Sequence, residues 1–255
     1  MKISKNKIAD IRRLHQKKYR EENNLFLVEG HKSVMELIYS KWKTAEIFAT
    51  APWIEEFEQS IPPAIPITEV NETEMERISC LKTPQKVLAV AHAFRYSTKD
   101  INTKDGLLLL DGISDPGNLG TIIRTADWFG YKQILCSPDC VELTNPKTIQ
   151  ASMGSFCRMR VFYDDLTLFL TQKDKNIPLY GAFMEGTPIQ EIPFQKQDMI
   201  IIGSEANGIS DKLLPFITEQ ITVPYPTGNR TESLNASIAT SIILYQKWVK
   251  GKKNI

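Results

Sequence analysis

The amino-acid sequence predicts an α/β protein in which a small α/β domain precedes a larger domain built on a mainly parallel sheet. Three observations support this. The chain has 255 residues, which is enough for two modest domains. A polar stretch rich in turn formers occupies residues 97–106. After it, short apolar runs alternate with helical patterns, which is typical of a parallel sheet with helices on its faces. We therefore predict domains over residues 1–98 and 105–255.

Composition excludes several classes of protein. Hydrophobic residues make up 42% of the chain and charged residues 24%, as in ordinary folded domains rather than disordered or collagen-like chains. No apolar run, Leu107–Leu110 included, is long enough to span a bilayer, and Met1–Arg20 has no apolar stretch of signal-peptide length. We therefore expect a cytoplasmic protein without membrane contact. Cys136 and Cys140 have three residues between them, rather than two, and no histidine follows them, so we expect no metal site.

The N-terminus is strongly basic although the net charge is only +1. Residues 1–20 contain one acidic side chain, Asp10, and these basic ones: Lys2, Lys5, Lys7, Arg12, Arg13, Lys17, Lys18 and Arg20. Such a segment would be attracted to a nucleic-acid phosphate backbone. The spacing of Ile8, Ile11 and Leu14 equally fits a helix with a solvated basic face. The pattern alone leaves both interpretations open.

The predicted elements follow from apolar periodicity. In the first domain we expect strands at 26–28, 47–49 and 87–91, and a helix around 34–38. In the second domain we expect strands at 107–111, 133–136, 159–162, 179–183, 199–203 and 220–223, and helices at 121–129, 148–153 and 234–249. The last helix has an apolar stripe that we assign to the core, formed by Leu234, Ile238, Ile242, Tyr245 and Val249.

Three polar, glycine-containing segments each follow a predicted strand of the second domain: residues 111–124, 203–208 and 223–235. Ligands in open parallel sheets bind where such loops converge, at the carboxyl ends of the strands. Any one of these loops could equally be a simple turn. All three histidines precede residue 97, so this domain has no Ser-His-Asp catalytic triad. It also lacks a phosphate-binding loop motif and a dinucleotide-binding glycine pattern.

These segments resemble the three signature motifs of the SpoU (TrmH) family of RNA ribose 2′-O-methyltransferases. The first matches as Asn118-Leu119-Gly120 with Arg124, and the second as Gly203-Ser204-Glu205 with Gly208. The third matches as Val223-Pro224 followed by Ser233-Leu234-Asn235. In addition, Phe26–Gly30 (FLVEG) is similar to part of the small substrate-binding domain that many family members carry. The resemblance thus covers nearly the whole chain.

The resemblance implies a fold and a cofactor. The fold is an α/β knot, in which the C-terminal segment passes through a loop to form a trefoil, preceded by a small RNA-binding α/β domain. The cofactor is S-adenosyl-L-methionine, with no metal. By match to the family, Gly203, Gly208, Val223 and Leu234 would bind it. The resemblance also implies a homodimer with the active site near the interface.

The resemblance further implies methyl transfer to a ribose 2′-hydroxyl of RNA. The matching catalytic positions are Asn118, Arg124, Glu205, Ser233 and Asn235. Asn118 would orient the ribose, while Glu205 and Asn235 would hold the site by hydrogen bonds. Family proposals let Arg124 activate the hydroxyl. Because arginine normally stays protonated, we favour a phosphate clamp that also stabilises the developing alkoxide.

Alternatives remain at this stage. A non-catalytic RNA-binding protein could retain the fold, and a related enzyme could methylate a base. The separate N-terminal domain favours ribosomal over transfer RNA as the substrate. The loop between Pro224 and Ser233 has eight residues, about two more than in typical family members. Arg230 in this loop could contact a phosphate or simply be solvated.

Overall fold

The protein is described by a computed structural model that covers residues 3–226 and 233–252, with the side chain of Lys252 left out. Within these residues the strands are β1 (Leu25–Glu29), β2 (Thr44–Ala49), β3 (Ile67–Glu69), β4 (Val87–His92), β5 (Leu107–Asp111), β6 (Gln133–Cys136), β7 (Arg160–Tyr163), β8 (Leu179–Pro188), β9 (Met199–Gly203) and β10 (Glu219–Thr222). The α-helices are α1 (Lys5–Arg13), α2 (Lys17–Asn23), α3 (His31–Ile38), α4 (Ala51–Phe57), α5 (Glu72–Ile78), α6 (Pro116–Trp128), α7 (Pro146–Ser152), α8 (Leu166–Gln172) and α9 (Ala236–Lys252).

The chain forms two compact units. The first comprises Met1–Arg95 together with Glu142–Arg158, and the second comprises Tyr96–Val141 and Met159–Ile255. The first unit is therefore built from two separate stretches of chain. The continuous domains that the sequence suggests, 1–98 and 105–255, differ from this division in the assignment of 142–158, and their exact limits stay a prediction.

The first unit contains a mixed sheet with the strand order β1-β4-β2-β3. β4 is antiparallel to both of its neighbours, and β3 is parallel to β2. Side chains on β1 alternate between the two faces of the sheet. Leu27 joins a buried cluster with Ile11 of α1 and Met75 of α5. Phe26 points to the other face, so this small sheet has apolar packing on both sides.

The stretch from Glu142 to Arg158 completes that other face. Phe156 is fully buried, and its ring packs edge-on against Phe26 and Trp42 with centroid distances of 6.1 and 5.9 Å. Arg20 is also buried and forms an ion pair with Glu142. Its guanidinium donates further hydrogen bonds to the carbonyls of Leu14 and His15. Arg20, one of the eight basic residues at the N-terminus, therefore has a structural role.

The second unit contains a parallel sheet with the strand order β10-β8-β9-β5-β6-β7 in the described part of the chain. β5 and β9 lie in its middle, and the four leucines of β5 are fully buried. A strand covered on both faces reads as a continuous apolar run, which is why Leu107–Leu110 signals a central strand. No helix among the described residues is long and apolar enough to cross a membrane.

Several sequence-based assignments change, and two of these changes bear on the site. α6 begins at Pro116, five residues before the predicted start, because Asp115 caps it by accepting a hydrogen bond from the amide of Asn118 at 2.8 Å. The core face assigned to α9 was wrong. Leu234, Ile238 and Tyr245 are 44, 49 and 54% exposed, whereas Ile243 and Leu244 are buried.

Candidate functional site

The loops that follow β5, β9 and β10 meet at the carboxyl edge of the parallel sheet, as the sequence predicts. A cavity of about 770 Å³ lies there, bounded by the ends of β8, β9 and β10 and by α9. Six of the nine predicted site residues line it: Gly203, Glu205, Gly208, Val223, Ser233 and Leu234. Its volume falls within the range of roughly 300–1,000 Å³ that is usual for small-molecule sites.

A hydrogen-bond network centred on Glu205 links the three loops. Oε1 of Glu205 accepts hydrogen bonds from Asn118 Nδ2 at 3.2 Å and from Asn235 Nδ2 at 2.6 Å. The backbone amide of Ala236 donates to the same oxygen at 3.1 Å. Asn235 also donates to Asn118 Oδ1 at 2.9 Å. Three residues that are far apart in the chain are thus brought together, one from each signature loop.

Asn235 is held in place because it caps α9. Its Oδ1 accepts hydrogen bonds from the amides of Ser237 and Ile238, at 3.0 and 3.3 Å, and from the hydroxyl of Ser237 at 2.6 Å. This bonding satisfies amides that have no partner within the helix. The side-chain oxygen is therefore used by the helix, and the side-chain N–H groups point to Glu205 and Asn118. The carboxylate of Glu205 also lies at the N-terminal end of α9, where it accepts from the amide of Ala236.

The loop from Gly203 to Gly208 is closed on itself. The amides and carbonyls of Ser204 and Gly208 pair with each other at 3.1 and 2.9 Å. Gly208 has a φ of +66°, and a Cβ at Gly203 would lie 2.1 Å from the carbonyl carbon of Gly208. In the structure, the close neighbour of Gly203 is the backbone of this loop.

Apolar side chains form most of the remaining cavity wall. Val223 and Leu234 lie on it as expected, and so do residues that the motifs do not mark: Ala182–Glu185 on β8, and Ala239, Ile242 and Ile243 on α9. Strand order would have identified the β8 residues, because β8 lies between β9 and β10 in the sheet. The order of strands in the sheet cannot be read from any local pattern in the sequence.

Further hydrogen bonds fix the loop that follows β5. Asp111 is buried and accepts hydrogen bonds from the amide and the hydroxyl of Ser210, both at 2.7 Å. The amide of Ile113 donates to Cys140 Sγ at 3.2 Å. A hydrogen bond from Cys136 lowers the pKa of Cys140, although burial acts in the opposite direction. These contacts tie the loops after β5, β6 and β9 together.

Arg124 does not join the network. It lies on α6 six residues after Asn118, which places it about 120° away around the helix. Its side chain is exposed, and within the described part of the chain its guanidinium forms no hydrogen bond or ion pair. Arg124 matches a catalytic position of the family motif, but within this chain its side chain does not reach the Glu205 network. Trp128, on the same face of α6 one turn later, is 82% exposed.

Arg230 lies outside the described residues. Among residues 3–226 and 233–252, no group of three or more histidine, cysteine, aspartate or glutamate side chains is arranged to hold a metal ion.

Comparison with known proteins identifies the family. The model of the SpoU rRNA methylase family matches residues 106–245, and the MRM3-like substrate binding domain matches residues 5–89. The chain belongs to the SpoU rRNA methylase family. It is 31% identical over 241 residues to the 23S rRNA (guanosine(2553)-2′-O)-methyltransferase RlmP of Bacillus subtilis, covering 94% of both chains.

Solved structures of SpoU-type proteins are similar along nearly the whole chain. A Porphyromonas gingivalis protein described as an RNA methyltransferase of the TrmH family is 33% identical, with a TM-score of 0.84 over 96% of this chain and 98% of that one. An AdoMet-bound rRNA methyltransferase from Sinorhizobium meliloti is 27% identical, with a TM-score of 0.85 over 97% of each chain. AdoMet is S-adenosylmethionine.

Membership of the SpoU family confirms several predictions. The protein is an α/β enzyme with a parallel sheet and an N-terminal substrate-binding domain. It is an RNA 2′-O-methyltransferase that uses S-adenosylmethionine. The trefoil threading, the homodimer and the roles of the nine site residues stay predictions.

Proposed function

We propose that the protein methylates one ribose 2′-hydroxyl of large-subunit ribosomal RNA in the cytoplasm, and that the cavity beside Glu205 is its active site. The observation that carries this proposal is the Glu205 network, which joins one polar residue from each signature loop at the rim of the cavity. The similarity to RlmP, named for a guanosine of 23S rRNA, favours ribosomal over transfer RNA.

The cavity suits S-adenosylmethionine on the chemistry of its lining. Val223, Leu234 and Ile242 offer apolar surface to an adenine ring, while the loop from Gly203 to Gly208 offers backbone polar groups. The bound cofactor supplies a methyl group that is already activated on a sulfonium. The protein therefore has to orient the ribose, accommodate the proton that leaves the 2′-hydroxyl and stabilise negative charge on its oxygen.

In this proposal the polar residues orient the ribose and stabilise the alkoxide, and the proton of the 2′-hydroxyl passes to solvent water. Asn118 is held at both ends of its amide by Glu205 and Asn235, so it can present a fixed hydrogen-bonding edge to the ribose. Oε1 of Glu205 is occupied by three donors, whereas no hydrogen bond to Oε2 is found among the described residues, which leaves that oxygen to accept from the substrate. Ser233 lies on the cavity wall beside them. In this proposal Arg124 clamps a phosphate and stabilises the alkoxide.

A homodimer would bring Arg124 to the site. Aromatic side chains of α6 and α9 form an exposed patch: Trp128 and Tyr245 are 82 and 54% exposed, and the ring of Phe129 lies 6.2 Å from those of Tyr245 and Trp248. Exposed apolar patches of this kind mark protein interfaces. We propose that two copies pair through this patch. Arg124, one turn from Trp128, would then lie at the interface, within reach of the partner's network.

The experiment that tests the function is a map of 2′-O-methyl groups in total RNA from cells with and without the gene. The proposal predicts that one position in large-subunit ribosomal RNA loses its methyl group and regains it with the parent gene. A gene carrying Asn235→Ala should not restore it. A lost position in transfer RNA would contradict the choice of substrate, and an unchanged map would contradict the proposed function.

A further inference from the structure

A second cavity, of about 340 Å³, lies within the first unit. It is found where β1 and β2 end and β4 begins, an edge closed by hydrogen bonds from Gly30 N to Val87 O and from Thr50 N to Lys86 O. We call it the aromatic cavity, because the side chains of His31, Trp53 and Phe57 line it. Glu56, Gln85 and Lys86 supply its polar groups.

The three rings have a fixed arrangement. The centroid of Phe57 lies 4.2 Å from that of His31 and 5.3 Å from that of Trp53. The indole N–H of Trp53 donates a hydrogen bond to His31 Nδ1 at 3.2 Å. Because Nδ1 is used as the acceptor in this contact, Nε2 is the ring nitrogen that remains to donate a hydrogen bond. Trp53 is almost fully buried, so it anchors the other two rings.

Packing alone does not account for this cluster. His31 is exposed and Phe57 is half-buried, so both side chains keep accessible surface on the lining of the cavity. Lys86 on the rim is exposed, and so is Lys32, the neighbour of His31 in the chain. The site therefore combines aromatic side chains, hydrogen-bonding groups and the positive charges of Lys32 and Lys86, with the carboxylate of Glu56 also on its lining. This combination suits a flat heteroaromatic ring that is attached to a phosphate.

We propose that the aromatic cavity binds one unpaired nucleobase of the RNA substrate, with an adjoining phosphate on Lys86. The proposal rests on the proposed function, which makes RNA the substrate. The cavity is too small for a duplex, but a single base turned out of its stack would fit and could pack on Phe57 and His31. All of the lining residues lie within residues 5–89, which match a substrate binding domain.

The first test compares binding of a short single-stranded oligouridine with binding of an RNA duplex of the same length. Phe57→Leu keeps most of the apolar volume but removes the ring, so single-strand affinity should fall about tenfold. Duplex affinity should not change, because paired bases cannot enter the cavity. Phe57→Tyr keeps the ring and should bind the oligouridine like the parent. His31→Ala, at an exposed position, gives the same test if Phe57→Leu fails to fold.

Lysine variants provide a matched comparison. Lys86→Ala should weaken binding of the oligouridine and make it less dependent on salt. Lys43→Ala also removes one exposed positive charge from this unit, but at the opposite end of β2, and should have a smaller effect. Equal losses in the two variants would show a general electrostatic effect and would contradict a site at Lys86.

A second test locates the base directly. An oligouridine that contains 5-iodouridine should cross-link under ultraviolet light to His31, Trp53 or Phe57, identified by mass spectrometry of the digested protein. Asn235→Ala should abolish methyl transfer yet retain this cross-link and the parent affinity for the oligouridine. Cross-links found only elsewhere, or unchanged single-strand affinity in Phe57→Leu with an active parent, would overturn the cavity and leave the proposed function intact. A parent without methyl transfer to RNA would instead contradict the proposed function.

Discussion

Oε1 of Glu205 collects three hydrogen bonds and so joins the starts of α6 and α9 to the loop after β9. The resemblance of the motifs predicts which residue types belong to the site. It does not predict that Asn118 and Asn235 share one carboxylate oxygen, since those contacts depend on how the ends of parallel strands meet. A glutamate in this position also orders both asparagines before any ligand binds. The site is therefore largely preorganised, which reduces the cost of orienting the ribose.

Variants of Arg124 should change the rate of methyl transfer without changing cofactor binding. Because its guanidinium lies away from the cavity lining, Arg124→Ala should bind S-adenosylmethionine like the parent. Turnover should fall on the order of a hundredfold or more if it stabilises the alkoxide. Arg124→Lys keeps the charge but loses the planar fork, so it should restore little. Tritium transfer onto the mapped RNA, run beside a cofactor titration by calorimetry, measures both effects.

Two results would assign Arg124 differently. Near-parent turnover in Arg124→Ala would remove it from the chemistry. A loss that arises mainly from weaker cofactor binding would assign it to cofactor binding instead of the chemical step.

Lys247 should make stability depend on pH. Burial lowers its pKa to about 8 in the folded protein, although its ammonium donates a hydrogen bond to the carbonyl of Lys196 at 2.9 Å. The unfolded chain keeps the ordinary, higher lysine pKa and so binds more protons between pH 8 and 9. The free energy of unfolding should therefore rise across this interval, by about 1 kcal/mol from this group.

The matched variant for this prediction is Lys247→Met, which keeps a long apolar side chain without the charge. Urea unfolding at pH 8 and pH 9 should show the rise in the parent and a smaller or absent rise in the variant. Buried thiols act in the opposite direction: burial raises the pKa of Cys157 to about 12, for example. Both proteins contain these thiols, so their contribution cancels when the two are compared. Identical pH dependence in both proteins would exclude Lys247 as the cause.

At the scale of elements, the loop between Ser204 and Gly208 depends on Gly203. A methyl group there would lie 2.1 Å from backbone, which is rigid, so the loop has to open. Gly203→Ala should lower the free energy of unfolding by about 1–3 kcal/mol. S-adenosylmethionine affinity should fall with it, because the loop lines the cavity. Thermal unfolding and calorimetry measure the two effects.

Gly251→Ala serves as the control for Gly203→Ala. Its added methyl group meets nothing within 4 Å, and alanine favours the helix. Stability and affinity should stay at or slightly above those of the parent. If Gly203→Ala behaved in the same way, steric closure of the loop would not be the reason for glycine at 203.

The exposed patch of α6 and α9 makes the dimer testable. Tyr245→Glu places a charge beside Phe129 in the middle of the patch, so it should convert dimers to monomers. Light scattering at micromolar concentration should give twice the chain mass of 29.0 kDa for the parent and the single mass for the variant. A parent that is monomeric at this concentration would contradict the pairing. Met184→Glu, at an exposed methionine on β8, should leave the dimer unchanged.

The same helix shows where periodicity fails as evidence. The apolar spacing of Leu234, Ile238 and Tyr245 correctly predicts a helix, but both of its faces are apolar, and the buried face is the one with Ile243 and Leu244. Burial depends on which face of the helix packs against the sheet, and the sequence of the helix alone does not determine that. Strands such as Leu107–Asp111 and Met199–Gly203 are predicted to the residue, because strands buried on both faces stand out as short apolar runs.

At the scale of the whole molecule, residues 142–158 belong to the first unit although they lie within the part of the sequence that matches the methylase model. A polar break such as 97–106 has a clear sequence signal, so the approximate division could be predicted. The return of the chain to the first unit could not be predicted, because Phe156 contacts Phe26 and Trp42, which are more than a hundred residues away in the sequence. Long-range apolar contacts leave no local pattern.

Phe156→Ala tests this arrangement. Removing a fully buried ring should destabilise the first unit by about 3–5 kcal/mol. Hydrogen exchange at the amides of β1 and β4, followed by mass spectrometry, should show faster opening of this sheet. Tyr39→Ala removes an exposed aromatic side chain of the same unit and should cost less than about 1 kcal/mol. Unchanged protection in Phe156→Ala would mean that 142–158 contributes little to this core.

The return of the chain also sets an order of events during synthesis. Multidomain proteins commonly fold from the N-terminus as the chain emerges. Here the first unit has to wait for Glu142 to pair with Arg20 and for Phe156 to cover Phe26, and by then β5 and β6 have already been made. The N-terminal domain therefore finishes folding only after translation of the catalytic domain is under way. A ribosome stalled before residue 142 would display a first unit with one face of its sheet uncovered.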